Sequence, residues 1–199
     1  MENQNEKVSD IAPPISLITQ DPNTKEFVII IEYYNTGDLS HYIAKDFFDV
    51  SWDTKLLHLY GIVYGLSKIH EKSIIHRDLH SGNILIYNDK YSRIGDLGLS
   101  KSATEAADNE TYGIIPYVAP EVLQGQKYTK KSDIYSFGMI MWECMTGRRP
   151  FWDCAHDTEL ILDICDGLRP PIGDIAAPEG YIELMKKCWD PNPNKRLAT

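Results

Sequence analysis

The stretch HRDLHSGN, residues 76–83, decides how this chain is read. It sets a carboxylate, Asp78, beside Arg77 and between His76 and His80, and it ends on Asn83. A carboxylate in a loop can orient a hydroxyl and take its proton, help that contributes about 10²–10⁴-fold in rate. Asn83 adds a neutral oxygen ligand. Beyond it, GDLG (95–98) holds Asp96 between two glycines, which let the backbone turn sharply. One amide oxygen and one carboxylate suit Mg²⁺, which takes few protein ligands and completes its shell with water and phosphate oxygens.

The flanking sequence says what carries these residues. Upstream, SWDTKLLHLYGIVYGLSKIHEK (51–72) opens with a capping serine, Ser51, and repeats Leu56, Leu59, Val63, Leu66 and Ile69 at helical spacing. Before it, ISLIT (15–19) and EFVIIIEYY (26–34) are β-branched runs around QDPNTK, the pattern of a β-hairpin. Residues 1–14 are polar, acidic and closed by Pro13-Pro14, which predicts a loose tail. Downstream, NILIY (83–87) and YSRIG (91–95) read as paired strands joined by Asn88 and Asp89. Residues 100–112 are polar without periodicity. KSDIYSFGMIMWECMTG (131–147) is apolar nearly all round, as a buried helix must be, and two shorter amphipathic helices follow near 157–167 and 179–189.

Composition bounds the function. The chain has 199 residues, one domain's length, and carries 20 basic against 29 acidic residues, a formal charge of −9. That balance argues against nucleic acid or an anionic membrane as the main partner. Cys144, Cys154, Cys165 and Cys188 form no C-x-x-C pair, so neither zinc nor a disulfide framework is expected. MENQNEKVSD has no apolar run, and no segment is long enough to span a bilayer, which leads to the expectation of a cytoplasmic protein without membrane insertion.

Taken singly, H-R-D also fits a surface ion pair and D-L-G a common turn. Order and spacing separate the readings: H-R-D-L-x-x-x-N is complete, D-L-G follows one hairpin later, and A-P-E (119–121) closes the polar segment. On these motifs the chain resembles the large lobe of a protein kinase of the tyrosine-kinase-like group over residues 15–199, on the serine/threonine side. The resemblance implies an α+β fold: small-lobe strands and hinge in 15–34, and a mainly helical large lobe in 35–199. It implies ATP and Mg²⁺ as cofactors and a protein substrate or signalling partner. Asp78 would be the catalytic base, and Asn83 and Asp96 the metal ligands. IIIEYYNTGDL (29–39) looks like the hinge, with Ile31 as gatekeeper, backbone groups of Glu32 and Tyr34 facing adenine, and Asp38 near the ribose. Leu85 would floor that pocket. Asp133 would brace the catalytic loop, Arg196 would pair with Glu121, and His76 would only pack. Arg77 would be free for a phosphate on Ser100, Ser102, Thr104, Thr111 or Tyr112, unless the segment is simply unmodified.

The chain also departs from the pattern. Residues 1–14 hold no glycine and one lysine, Lys7, so they encode neither a Gly-rich loop nor the strand that carries the phosphate-anchoring lysine. The last helix of the family is not found after Arg196. His80 stands where serine/threonine kinases usually have lysine. Gly113-Ile114 replaces Gly-Thr, and Leu97 replaces the phenylalanine of D-F-G. Two functions follow as expectations: phosphoryl transfer to Ser/Thr (alternatively Tyr) hydroxyls within a longer parent chain, or a catalytically inactive binding module. A poorly folding fragment, prone to associate through the apolar run FVIII (27–31), is the third.

Overall fold

In the computed structural model, residues 13–47, 49–87, 90–103 and 111–198 are described. The strands are β1 (Ile15–Gln20), β2 (Phe27–Ile31), β3 (Ile74–Ile75), β4 (Ile84–Tyr87), β5 (Tyr91–Ile94) and β6 (Lys101–Ser102). The helices are α1 (Leu39–Asp46), α2 (Trp52–Glu71), α3 (Pro120–Leu123), α4 (Lys130–Thr146), α5 (Thr158–Cys165) and α6 (Tyr181–Cys188). Short strands with a helical majority make the fold α+β.

The Ser51 side chain accepts the Thr54 N–H and starts α2 where the sequence indicated. The buried stripe of this helix runs through Leu59, Ile62, Leu66 and Ile69. Leu56, expected in that stripe, is instead 39% exposed, because it borders an open hollow shared with Leu184 and Ala198. Strands β4 and β5 pair antiparallel as expected, with Ile84, Ile86, Ser92 and Ile94 buried and the alternate residues facing out. Strand β6 pairs with β3 inside the segment that showed no periodicity, since two residues are too few to carry a pattern.

The N-terminal hairpin forms in the expected place, β1 antiparallel to β2. Its large apolar residues, Ile15 to Phe27 and on to Ile31, are 41–75% exposed. Both faces of the two-stranded ribbon are therefore open, which marks it as a surface prone to association.

The core is organised around α4. Thr129 and Ser132 form a reciprocal capping box at its start, and every residue from Ser132 to Met145 is buried. Such a helix must be surrounded, and α2, α6, β3 and the turns at 115–117 and 193–195 cover it. Glu121 and Arg196 form a buried bidentate pair beside the start of α4, two N–H···O contacts of 2.7 Å each. Arg196 also donates to the carbonyls of Asp190 and Lys131, so its guanidinium is well satisfied. Removing one partner leaves a buried charge alone. Glu121→Ala should lower stability by about 3–5 kcal/mol in urea unfolding, while a double replacement with methionine at 121 and 196 should recover most of that loss. A cost below about 1 kcal/mol for the single variant would show that the pair is hydrated.

Candidate active site

The loop before β4 is shaped by one buried carboxylate. Asp133, in the first turn of α4, accepts the backbone N–H of His76 through Oδ2 (2.9 Å) and that of Arg77 through Oδ1 (3.1 Å). His70, near the end of α2, places Nε2 2.8 Å from the same Oδ2. These bonds hold Arg77 at φ +75°, a left-handed conformation that costs a branched or bulky residue about 1–3 kcal/mol. Asp96, at φ +50°, is the second such residue here.

His76 is fully buried and links the two strained points. Its Nδ1 accepts the Asp78 N–H at 3.3 Å, which leaves Nε2 to donate to the Gly95 carbonyl at 3.1 Å. It packs, as expected, and it also bridges, which the sequence did not indicate. Asn83 turns its amide nitrogen onto Asp78, donating to the carbonyl (2.9 Å) and to Oδ2 (3.3 Å). That choice leaves Asn83 Oδ1 to face elsewhere as an acceptor. The Asn83 carbonyl takes the Gly95 N–H at 2.7 Å, so the Asp96 turn is tied directly to the Asn83 turn. Asp96 is exposed, and its Oδ1 accepts the Gly98 N–H at 3.1 Å. Gly113 lies beside Asp78: a Cβ there would meet Asp78 Oδ1 at 3.1 Å, and the residue sits at φ +98°, so the approach needs glycine.

The hinge residues divide. Asp38 and Leu85 meet through an isolated bridge, and the Ile86 N–H donates to the Gly37 carbonyl at 2.9 Å. Asp38 also caps α1, with Oδ1 accepting from the Ser40 hydroxyl (2.6 Å) and the His41 N–H (2.9 Å). Burial pushes its carboxyl up, but those bonds outweigh burial and hold it below the usual carboxylate range. The Tyr34 ring is buried edge-on against Tyr87, with 5.8 Å between centroids. Ile31 ends β2, with Glu32 just beyond it, and both are exposed. No described contact brings either to Asp78, Asn83 or Asp96.

One expectation is corrected. Arg77 is not free: its guanidinium is buried between the rings of Tyr112 and Tyr128, 4.9 and 5.0 Å from their centroids. The Tyr128 hydroxyl holds that sandwich by accepting the Tyr112 N–H at 2.9 Å and donating to its carbonyl. Among the named phosphate positions, Ser100 donates to the His76 carbonyl at 3.3 Å and Ser102 belongs to β6, while Thr104 lies outside the described residues. His80 places Nε2 3.8 Å from Asp78 Oδ1, and its Nδ1 accepts the Gly82 N–H. Burial pushes the His80 ring down, against the pull of Asp78.

A third buried carboxylate was not anticipated. Glu143, on α4, accepts from the Tyr117 hydroxyl at 2.6 Å, and that hydroxyl lies 3.4 Å from Ser81 Oγ beneath the Asp78 loop. The signal was present in MIMWECM, a lone acid in an apolar helix. Burial holds the Glu143 carboxyl above its ordinary 4.5, so the folded state binds this proton more tightly than the unfolded chain. Its contribution is therefore fully present below about pH 4.5 and lost as pH rises through the raised folded value. Glu143→Gln should gain on the parent chain as pH rises above 4.5, read as unfolding midpoints at several pH values. A difference independent of pH would contradict this.

The comparisons with known proteins agree with this geometry. The family described as protein tyrosine and serine/threonine kinase matches residues 7–199. A putative serine/threonine-protein kinase/receptor of Acanthamoeba polyphaga mimivirus is 33% identical over 96% of this chain and 12% of its own length. Receptor-interacting serine/threonine-protein kinase 1 of Homo sapiens is 32% identical over 86% of this chain and 28% of its own. A serine/threonine/tyrosine-protein kinase of Arabidopsis thaliana is 32% identical over 85% of this chain and 44% of its own. The fold is thus that of a protein kinase domain. The chain belongs to the protein tyrosine and serine/threonine kinase family, and it spans less than half the length of these relatives. Among the described residues, no helix is long and apolar enough to cross a membrane.

Proposed function

We propose that this chain carries the catalytic half of an ATP-dependent protein phosphotransferase acting on Ser/Thr hydroxyls, with Tyr as the alternative. In this reading 15–34 is the small-lobe remnant and hinge and 35–199 the large lobe, and turnover belongs to a longer, cytoplasmic parent chain. The observation that carries it is the bonding of the Asn83 amide to Asp78, which holds the carboxylate of the proposed base in one turn with the amide of the proposed metal ligand. The serine/threonine kinase names of the relatives support the substrate class.

The donor set fits Mg·ATP. Asn83 Oδ1 and the exposed Asp96 carboxylate are hard oxygen ligands, few enough for an ion that keeps water and phosphate oxygens. Bound Mg·ATP supplies the γ-phosphoryl group and neutralises charge on its phosphate oxygens. The chain's own residues do the rest. Asp78 accepts the proton of the substrate hydroxyl, and the Asn83 amide holds its carboxylate in register. Ile31, the backbone at Glu32 and Tyr34, Asp38 and Leu85 cradle the nucleoside.

Asp78→Asn in the parent chain should cut transfer from labelled ATP to a protein substrate by at least about 10²-fold without moving the unfolding midpoint. Retained activity would remove Asp78 as the base. The competing reading is a binding module without chemistry. A melting shift of these 199 residues with Mg·ATP, abolished by Asp96→Asn, favours the enzyme, because a ligand of the native state must stabilise it. No shift in either the 199 residues or the parent chain favours the module.

A further inference from the structure

The face between α2 and β5 is open and carries chemistry the catalytic reading does not use. Gly61 allows the strand to lie close: a Cβ there would meet the Ser92 carbonyl at 3.2 Å. His58 Nδ1 and Ser92 Oγ, 2.8 Å apart, lock the same seam. Side chains on either side then rise as the walls of a groove of about 310 Å³, with Leu57, Tyr60 and Tyr64 on the helix, Tyr91 and Arg93 on the strand and Lys90 in the turn just before it. None of the residues assigned to catalysis or nucleotide lines it.

Two features point to an occupant. The first is exposed ring surface. Tyr60 and Tyr64 stack nearly parallel at 6.3 Å, and Tyr60 and Tyr91 are 65% and 60% exposed. A clustered apolar patch of this kind marks an interaction surface rather than scattered exposure, and tyrosines give rigid contact area at low entropic cost. The second is charge. The chain has an excess of nine acids (29 − 20), yet the charged residues that line the groove, among the described residues, are Lys90 and Arg93. Arg93 is half-buried at the groove wall, and among the described residues its Nη1 has no hydrogen-bond partner.

We propose that this groove docks an extended peptide segment of a partner protein. An apolar or proline side chain of that segment lies on the tyrosines, and an adjacent Asp or Glu pairs with Arg93 and Lys90. Aromatic-lined grooves favour extended, proline-containing chains because these lose little entropy on binding. The basic lining selects the acidic residue.

The test is selection of a phage-displayed library of random decapeptides on the 199-residue chain, followed by anisotropy titration of the winning peptide with a fluorescein label. The expected peptide has an acidic residue next to Leu, Phe or Pro. Its affinity should fall at least tenfold with Tyr60→Ser or Lys90→Glu, both at exposed positions. It should fall similarly when its own acidic residue is replaced by the amide, a substitution that decides the matter even if a protein variant fails to fold. Saturating Mg·ATP should leave binding unchanged, which keeps this result separate from the nucleotide reading. A library without a consensus, a peptide indifferent to these changes, or displacement by Mg·ATP would overturn the proposal.

Discussion

The carboxylate of Asp133 is the constraint on which the site depends. It is buried, and three groups converge on it: the N–H groups of His76 and Arg77 and the ring of His70. An isolated buried carboxylate is costly, and hydrogen bonds to its charged form offset that cost. The same bonds hold Arg77 in a conformation its side chain disfavours. From that fixed point His76 reaches Gly95, Asn83 reaches Asp78, and the Asp96 turn follows. Asp78 is placed by a chain of contacts that begins in the middle of the core.

That core explains why α4 tolerates charge. Asp133 and Glu143 are its two buried acids, and each faces the segment that carries Asp78, one through backbone amides and one through Tyr117 and Ser81. The Glu121–Arg196 pair ties the segment after Gly113 to the start of the same helix, through the Lys131 carbonyl. Three buried carboxylates thus tie the 76–83 loop and the A-P-E turn to one helix. Apolar packing alone is non-directional and would leave them free to slide.

The outer surfaces have a different character. The hairpin of β1 and β2 exposes apolar side chains on both faces, while the seam of α2 and β5 combines tyrosines with basic groups. A surface of the first kind invites whatever strand or sheet lies nearest. A surface of the second kind discriminates, because its charges reject ligands of the wrong sign.

The sequence by itself determined the local parts. H-R-D-L-x-x-x-N, D-L-G and A-P-E are contiguous patterns, and the Ser51 cap, the hairpins and the apolar run of α4 are set by nearest-neighbour geometry and periodicity, so they could be read directly. Even the Asp133 brace and the Arg196–Glu121 pair were legible through family motifs. Only the tertiary structure decided what long-range packing decides. His70 meets Asp133 across 63 positions, Tyr117 meets Glu143 across 26, and β6 exists because β3 offers it unpaired backbone. Leu56 left the buried stripe because no neighbour covers it, and Arg77 lost its freedom because two tyrosines fold over it. Periodicity records which face of an element is apolar. Which partner arrives at that face is a property of the folded chain alone.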